Sequence, residues 1–121
     1  MQPHDLQRLE HIIDYCEDIA DCLARIDSSR ERFNADTMIQ YSIAFCILQI
    51  GELAGKLSPE LRAETSDEIR WNEIRGMRNI VVHDYGEIKL GIVWDVAVHD
   101  IPVLKEFCEE KLEQPQRLIH E

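Results

Sequence analysis

The amino-acid sequence predicts an all-α protein, an up-down antiparallel bundle of four long helices plus a short one. Apolar residues recur at three- and four-residue steps over several long stretches, the spacing that places them on one face of a helix. Glycine, proline and capping residues separate these stretches. The single strand-like run, residues 80–82, has no partner strand in the sequence. At 121 residues, the chain fits a single domain, 1–121, with one core.

The first helix is predicted to begin near residues 3–5 and to end near residue 25. Its apolar positions form one stripe: Leu6, Leu9, Ile12, Ile13, Cys16, Ile19, Ala20 and Leu23. Residues 26–33 are predicted to be a polar joint. Asn34 or Asp36 is a suitable N-cap for the next helix, because both side chains accept hydrogen bonds from the first free amides.

The second helix is predicted over residues 35–56 and is apolar around most of its circumference. Such a helix is either central in its own bundle or shared with a neighbouring molecule. We expect both, and therefore a two-fold homodimer. Gly51 costs about 1 kcal/mol relative to alanine in mid-helix, so we expect another backbone to approach it closely. Glu52 is expected to be partly buried and paired with Arg75 or Arg78 rather than catalytic.

A short helix follows, with Ser58 as its cap and Pro59 in its first turn, and it is predicted to end near residue 64. The third long helix is predicted over residues 71–83. Its core-facing positions are Trp71, Ile74, Met77 and Val81, with Val82 as a further candidate. Residues 84–91 contain two glycines and are predicted to be a turn.

The last long helix carries apolar positions from Ile92 to Leu112. Pro102 is expected to kink it, because proline lacks a backbone donor and crowds the preceding turn. The core should therefore lie within about residues 5–112. Residues 113–121 are predicted to be a polar tail that frays.

The composition excludes several classes of protein. The four cysteines show no C-x-x-C spacing and have mostly apolar neighbours, so we expect reduced core thiols in a cytoplasmic protein. No apolar run approaches about 20 residues and no signal peptide opens the chain, so neither a membrane nor secretion is indicated. The histidines lack metal-ligand spacing, so no metal and no cofactor are expected.

Residues 75–86 gather an unusual set of polar side chains for an acidic chain. On a helix, Asn79 and His83 lie four residues apart on one face, and Arg78 is adjacent. Arginine binds phosphate bidentately and histidine transfers protons near neutral pH, so the set suits chemistry on a phosphodiester. Taken singly, each of these residues is more often structural than functional.

The net charge of −11 is unusual for a protein that binds nucleic acid. Residues 70–89, however, contain four basic and three acidic residues. RNA would therefore bind to a small basic patch on an otherwise acidic protein, and its non-specific binding would be weak. The acidic remainder could instead face a basic partner protein.

The spacing Arg78-x4-His83-x-Tyr85 resembles the signature of the HepT-type toxins, small helical ribonucleases of the HEPN superfamily. Residues 47–54 and 71–79 are similar to two further blocks of that family. Residues 93–95 followed by 100–104 are similar to another. With these blocks in order, the resemblance covers about residues 5–112 and implies a HEPN-like fold.

The resemblance implies the toxin of a type VII toxin–antitoxin pair, a metal-independent endoribonuclease with its site at a dimer interface. Arg78 and His83 would be catalytic: the arginine holds the scissile phosphate and the histidine transfers the proton. Asn79, Tyr85 and Arg75 would position the RNA. In this family the tyrosine that matches Tyr85 receives AMP from an MntA-type nucleotidyltransferase antitoxin, and the added bulk and charge would block the cleft.

Two alternatives remain open. The chain could be a non-catalytic helical partner that presents a substrate pocket to a minimal nucleotidyltransferase. The net charge favours this reading, and the presence of Arg78, His83 and Tyr85 opposes it. A plain dimerisation module with a structural polar patch is the other alternative, but it leaves the matching blocks unexplained.

Overall fold

The structure, a computed structural model, describes the backbone of residues 1–82 and 89–119 and the side chains of residues 1–79 and 89–113. All regular secondary structure in these ranges is helical, which confirms the predicted all-α bundle. The elements are α1 (Pro3–Arg25), α2 (Arg30–Ala35), α3 (Thr37–Gly55), α4 (Pro59–Glu64), α5 (Trp71–Val82), α6 (Leu90–Asp95), a π-helical turn (Val96–Asp100) and α7 (Ile101–Ile119).

Helix α3 is the centre of the bundle. It packs along α1 on one side and along α5 on another, and α1 also packs on α7. Its buried residues include Ile43, Ile47 and Ile50, which are almost fully enclosed. The central position expected from its apolar circumference is thus confirmed.

Helix α3 is also the one helix in the described ranges that is long and apolar enough to cross a bilayer, with 19 residues and a mean hydropathy of 1.3. The core helix of a helical bundle reaches the same values, because its apolar residues face its neighbours. The packing of α3 against α1 and α5 supplies such neighbours.

Side-chain caps define the starts of three helices. Asp36 accepts a hydrogen bond from the Ile39 amide at 3.1 Å, and Ser58 accepts one from the Leu61 amide at 3.2 Å, as predicted for α3 and α4. The joint before α3 was predicted without a helix, and this was wrong: Ser29 caps the six-residue α2. This helix holds Phe33 in the core, 5.3 Å from the ring of Trp94.

Two buried hydrogen-bond groups hold the connections on either side of α4. Asp5, at the start of α1, accepts bonds from the Ser58 amide at 2.8 Å and from its hydroxyl at 2.6 Å. Thr65 accepts a bond from the Trp71 indole at 2.8 Å. Because Trp71 is the first residue of α5, this second group fixes where α5 begins.

The last long helix departs from regular geometry where Pro102 lies. The Ile101 amide donates to the Val96 carbonyl, an i→i+5 bond, so the turn before the proline is π-helical. Proline supplies no donor and crowds the carbonyl four residues earlier, which favours a wider turn. A π turn thus precedes the proline at which the sequence predicted a kink. The helix continues through Pro115 to Ile119, beyond the predicted end near residue 112.

Candidate functional site

The site begins where α5 crosses α3 at Gly51. A Cβ atom at this position would lie 3.3 Å from both the Arg78 nitrogen and the Ile74 carbonyl oxygen. These are backbone atoms, which cannot move away by rotating a side chain. Glycine therefore permits the close contact of α3 and α5, and a larger residue at position 51 would separate the two helices. The predicted close approach at Gly51 is confirmed, and it holds the Arg78 backbone against α3.

The buried face of α5 determines which residues point outward. Trp71, Ile74 and Met77 are buried, as predicted. Arg75, Arg78 and Asn79 lie on the exposed side of the same helix. The side chains of Val81, the fourth predicted core position, and of Val82 lie outside the described residues.

Three of the predicted site residues share one cleft. The space between α3 and α5 has a volume of about 370 Å³. Its lining consists of Gly51, Glu52, Gly55, Lys56, Asn72, Arg75, Gly76, Arg78 and Asn79. Among the described residues of this lining, three side chains are cationic and one is a carboxylate, a local excess of positive charge on a molecule of net charge −11. This balance favours an anionic ligand.

Glu52 and Arg78 form an ion pair inside the cleft. The Arg78 Nη1 atom donates to Glu52 Oε1 at 2.6 Å, and the two side chains are 49% and 40% exposed. The expected pairing of Glu52 with an arginine is confirmed, with Arg78 as the partner. At this exposure such a pair contributes about 0–1 kcal/mol to folding. A guanidinium has five donors, so the pair orients Arg78 and leaves donors for a phosphate.

Two predicted site residues, His83 and Tyr85, lie outside the described residues. Helix α5 ends at Val82, immediately before His83 in the chain. The predicted shared face of Asn79 and His83, and the place of Tyr85 beside it, stay predictions.

Two residues of the cleft were missed by the sequence analysis. Asn72 precedes Arg75 by three residues and Asn79 by seven, so it lies on the same face of α5. Following this polar face towards the start of the helix would have identified it. Lys56 follows the last residue of α3. No sequence signal connects Lys56 to α5, because their proximity comes from the packing of the two helices.

The cysteines are free thiols and, with one exception, belong to the core. Cys16, Cys46 and Cys108 are buried, and Cys22 is partly buried. Burial raises the pKa of Cys16 to about 12 and that of Cys46 to about 11. The prediction of core thiols is confirmed for these three. Within the described ranges, no group of three His, Cys, Asp or Glu residues is arranged to hold a metal ion.

An apolar stripe remains uncovered on α3. Met38, Tyr41 and Phe45 are 74%, 57% and 53% exposed, and Leu48 is partly buried. Their spacing of three, four and three residues places them on one face of the helix. The same step of four continues to Glu52, so this stripe (Met38, Tyr41, Phe45 and Leu48) leads along α3 into the cleft.

The family model described as Ribonuclease HepT-like matches residues 12–111. A candidate RNase of Caldanaerobacter subterraneus subsp. tengcongensis is 31% identical over 106 residues, covering 88% of this chain and 92% of its own. A candidate RNase of Methanocaldococcus jannaschii is 30% identical over 102 residues, covering 84% and 85%. The Probable ribonuclease HepT of Thermococcus cleftensis is 32% identical over 97 residues, covering 76% and 87%. No solved structure matches the chain.

Proposed function

The chain belongs to the HepT-like ribonuclease family, and from this premise we propose that it is a metal-independent endoribonuclease, the toxin of a toxin–antitoxin pair. The observation that carries the proposal is the cationic cleft in which Arg75, Arg78 and Asn79 meet. Relatives named as ribonucleases support the reaction class. The substrate is RNA, bound through its backbone at this cleft.

The reaction proposed is attack of a ribose 2′-hydroxyl on the adjacent phosphorus. Arg78 binds the scissile phosphate with donors that Glu52 does not use, and it stabilises the negative charge that increases in the transition state. His83 takes the 2′-hydroxyl proton or returns a proton to the leaving 5′-oxygen, a contribution of about 10²–10⁴-fold. Asn79, Arg75 and Tyr85 position the phosphate and ribose.

A homodimer would complete the site. One histidine supplies one proton-transfer group, whereas the reaction needs a base and an acid. The exposed stripe on α3 leads towards the cleft at the end of that helix, so two-fold packing of two stripes in parallel would bring the two clefts towards each other. With His83 beside Asn79, as proposed, the two copies of this histidine would then approach as well. Covering Met38, Tyr41 and Phe45 in the same step would remove a large apolar surface from water.

The proposed antitoxin is a nucleotidyltransferase that transfers AMP to Tyr85 in the cytoplasm. AMP on this residue would add bulk and a negative phosphate three residues past the described end of α5, close in sequence to Arg78. The phosphate would compete with RNA for the cationic side chains of the cleft. The intact mass of the chain, with and without nucleotidyltransferase and ATP, tests this step, and Tyr85→Phe must abolish the added mass.

Cleavage of RNA by the purified protein tests the ribonuclease proposal. His83→Ala and Arg78→Ala should each lower the cleavage rate by at least about 10²-fold. Arg32→Ala is the matched control, because it removes the same charge from α2, which does not line the cleft. A wild-type protein that cuts no RNA yet binds the nucleotidyltransferase tightly would favour the second candidate function, a non-catalytic partner. The net charge of −11 is the observation that supports this alternative.

A further inference from the structure

A second cleft lies beside the candidate active site, between α4 and the start of α5. Its volume is about 530 Å³. Four of the polar residues that line it, Arg62, Ser66, Arg70 and Asn72, carry hydrogen-bond donors in their side chains. Nothing in the family motif or in the reaction proposed above uses Arg62, Ser66 or Arg70.

Arg62 is the residue that points to a ligand. Its Nε atom is buried and has no hydrogen-bond partner among the residues that the structure describes. The Arg62 side chain as a whole is only partly buried and lines the cleft, so a ligand would meet its exposed part. A small movement of the side chain would bring the unpaired Nε to a ligand oxygen as well, which would satisfy this buried donor. Phosphate suits a guanidinium particularly well, because it accepts two parallel hydrogen bonds.

Arg70 adds a second cation at the rim of the same cleft. Its contact with Glu73 is long, with Nη1 and Oε1 3.5 Å apart, and both side chains are mostly exposed. An exposed pair of this kind holds its partners weakly, so Arg70 can turn towards a ligand. Glu73 also lines the cleft, so the part of its lining that the structure describes has two cations against one carboxylate.

The second cleft lies next to the first, since Asn72 lines both. From Asn72 to Asn79 the axis of α5 rises by about 10 Å. A nucleic-acid strand carries more than one phosphate over such a length. A strand whose scissile phosphate lies at Arg78 can therefore continue past Asn72 to Arg62.

We propose that this second cleft binds a backbone phosphate of the RNA strand next to the cleavage point. The inference rests on RNA being the substrate, as proposed above. Arg62 and Arg70 contact the phosphate, and the Asn72 amide supplies a further donor. The aromatic residue here, Trp71, is only 5% exposed, so bases find no stacking surface and binding at this cleft is independent of sequence.

The test measures binding of a fluorescent single-stranded RNA over a series of salt concentrations. All variants carry His83→Ala, which should slow cleavage by at least about 10²-fold, so that the RNA stays intact during the measurement. Arg62→Gln combined with Arg70→Gln should weaken binding about tenfold and reduce the salt slope by about 0.7, since both arginines contact one phosphate and each lost phosphate contact on a single strand is worth about 0.7. Arg32→Gln, the control on α2, should leave both quantities unchanged.

A second variant guards against a folding defect in Arg62→Gln. Ser66 is exposed and lines the cleft. Ser66→Glu places a negative charge there without removing a buried group, and it should also weaken RNA binding several-fold. In the cleaving protein, Ser66→Glu should lower kcat/KM for a long RNA and leave cleavage of a dinucleotide unchanged, because a dinucleotide occupies the Arg78 cleft alone.

The outcomes separate this inference from the proposed function. Wild-type RNA affinity and salt slope in the Arg62, Arg70 and Ser66 variants would overturn the inference while leaving the ribonuclease intact. Binding that depends on Arg62 in a protein that cuts no RNA would support the inference and overturn the ribonuclease proposal. A protein that neither binds nor cleaves RNA would overturn both.

Discussion

Replacing Gly51 with alanine tests whether the crossing of α3 and α5 sets the geometry of the cleft. The added methyl group would lie 3.3 Å from the Arg78 nitrogen and the Ile74 carbonyl oxygen, and 3.4 Å from the Arg78 Cβ. Contacts of this length require the two backbones to separate by a few tenths of an ångström. Arg78 would move with α5, away from Glu52 on α3.

Two opposing contributions determine the free energy of unfolding of the Gly51→Ala variant. Alanine is favoured over glycine within a helix by about 1 kcal/mol. Overpacking a tight contact costs about 1–3 kcal/mol. The expected net effect is a loss of about 0–2 kcal/mol, equivalent to a fall in Tm of up to roughly 8 °C for a chain of this size.

Gly76→Ala is the matched control. Gly76 lies on α5, and a Cβ atom there would meet nothing within 4 Å. This variant gains the helix preference without the clash, so it should be more stable by about 1 kcal/mol. Thermal unfolding at fixed protein concentration measures both variants, because association would make Tm depend on concentration.

The two variants should differ most clearly when stability and RNA cleavage are measured together. Gly51→Ala is expected to lose cleavage even at temperatures where it is fully folded, since the displaced Arg78 no longer fits the phosphate. A Gly51→Ala protein as stable as Gly76→Ala and as active as the wild type would refute the reasoning, because the crossing would then tolerate a side chain.

Three further predictions concern the cleft, the exposed stripe and the thiols. Among the described residues that line the cleft, Glu52 is the only carboxylate. Glu52→Gln should therefore make RNA bind about 2–5-fold tighter, measured by fluorescence anisotropy, while cleavage slows because the paired arginine loses its orientation. Phe45→Glu should convert the proposed dimer to a monomer in analytical ultracentrifugation and abolish cleavage. Val103→Glu is the control, because Val103 is a similarly exposed apolar residue on α7, and it should change neither the oligomeric state nor cleavage. At pH 8, iodoacetamide should label Cys22 first and Cys16 only after unfolding, and mass spectrometry of the labelled protein checks this order. Burial raises the pKa of Cys16 to about 12, so only roughly 10⁻⁴ of this thiol is present as the reactive thiolate at that pH.

The long helices were predictable because each repeats its apolar residues at helical steps over many turns. The starts of α3 and α4 were predictable because Asp36 and Ser58 are strong caps. Helix α2 was missed because six residues are too few to show a periodic pattern, and its stability depends on the burial of Phe33. Short helices of this kind depend on tertiary contacts that no local pattern records.

Some residues of the candidate site could likewise be predicted from the sequence, and others could not. Arg75, Arg78 and Asn79 were predicted from their grouping on one helix, and Glu52 was matched to an arginine because a carboxylate in apolar surroundings needs a partner. Lys56, by contrast, reaches the cleft through the crossing of α3 and α5. The cleft around Arg62 likewise arises from the packing of α4 against the start of α5. Periodicity identifies residues on one face of one helix, and only the fold identifies those that meet across two.

An acidic chain that binds RNA through one cationic cleft would differ physically from a basic nucleic-acid binder. Screening at physiological ionic strength reduces the field of distant charges beyond about 8 Å, so the cations nearest the phosphate determine the affinity. The remaining charge of the −11 molecule repels strands that do not enter the cleft. Low non-specific binding would then accompany productive binding at Arg78, and a phosphate attached by AMP transfer would need to neutralise only a few side chains to exclude RNA. The net negative charge, which favours the non-catalytic alternative, is therefore also compatible with a ribonuclease that is controlled by a single modification.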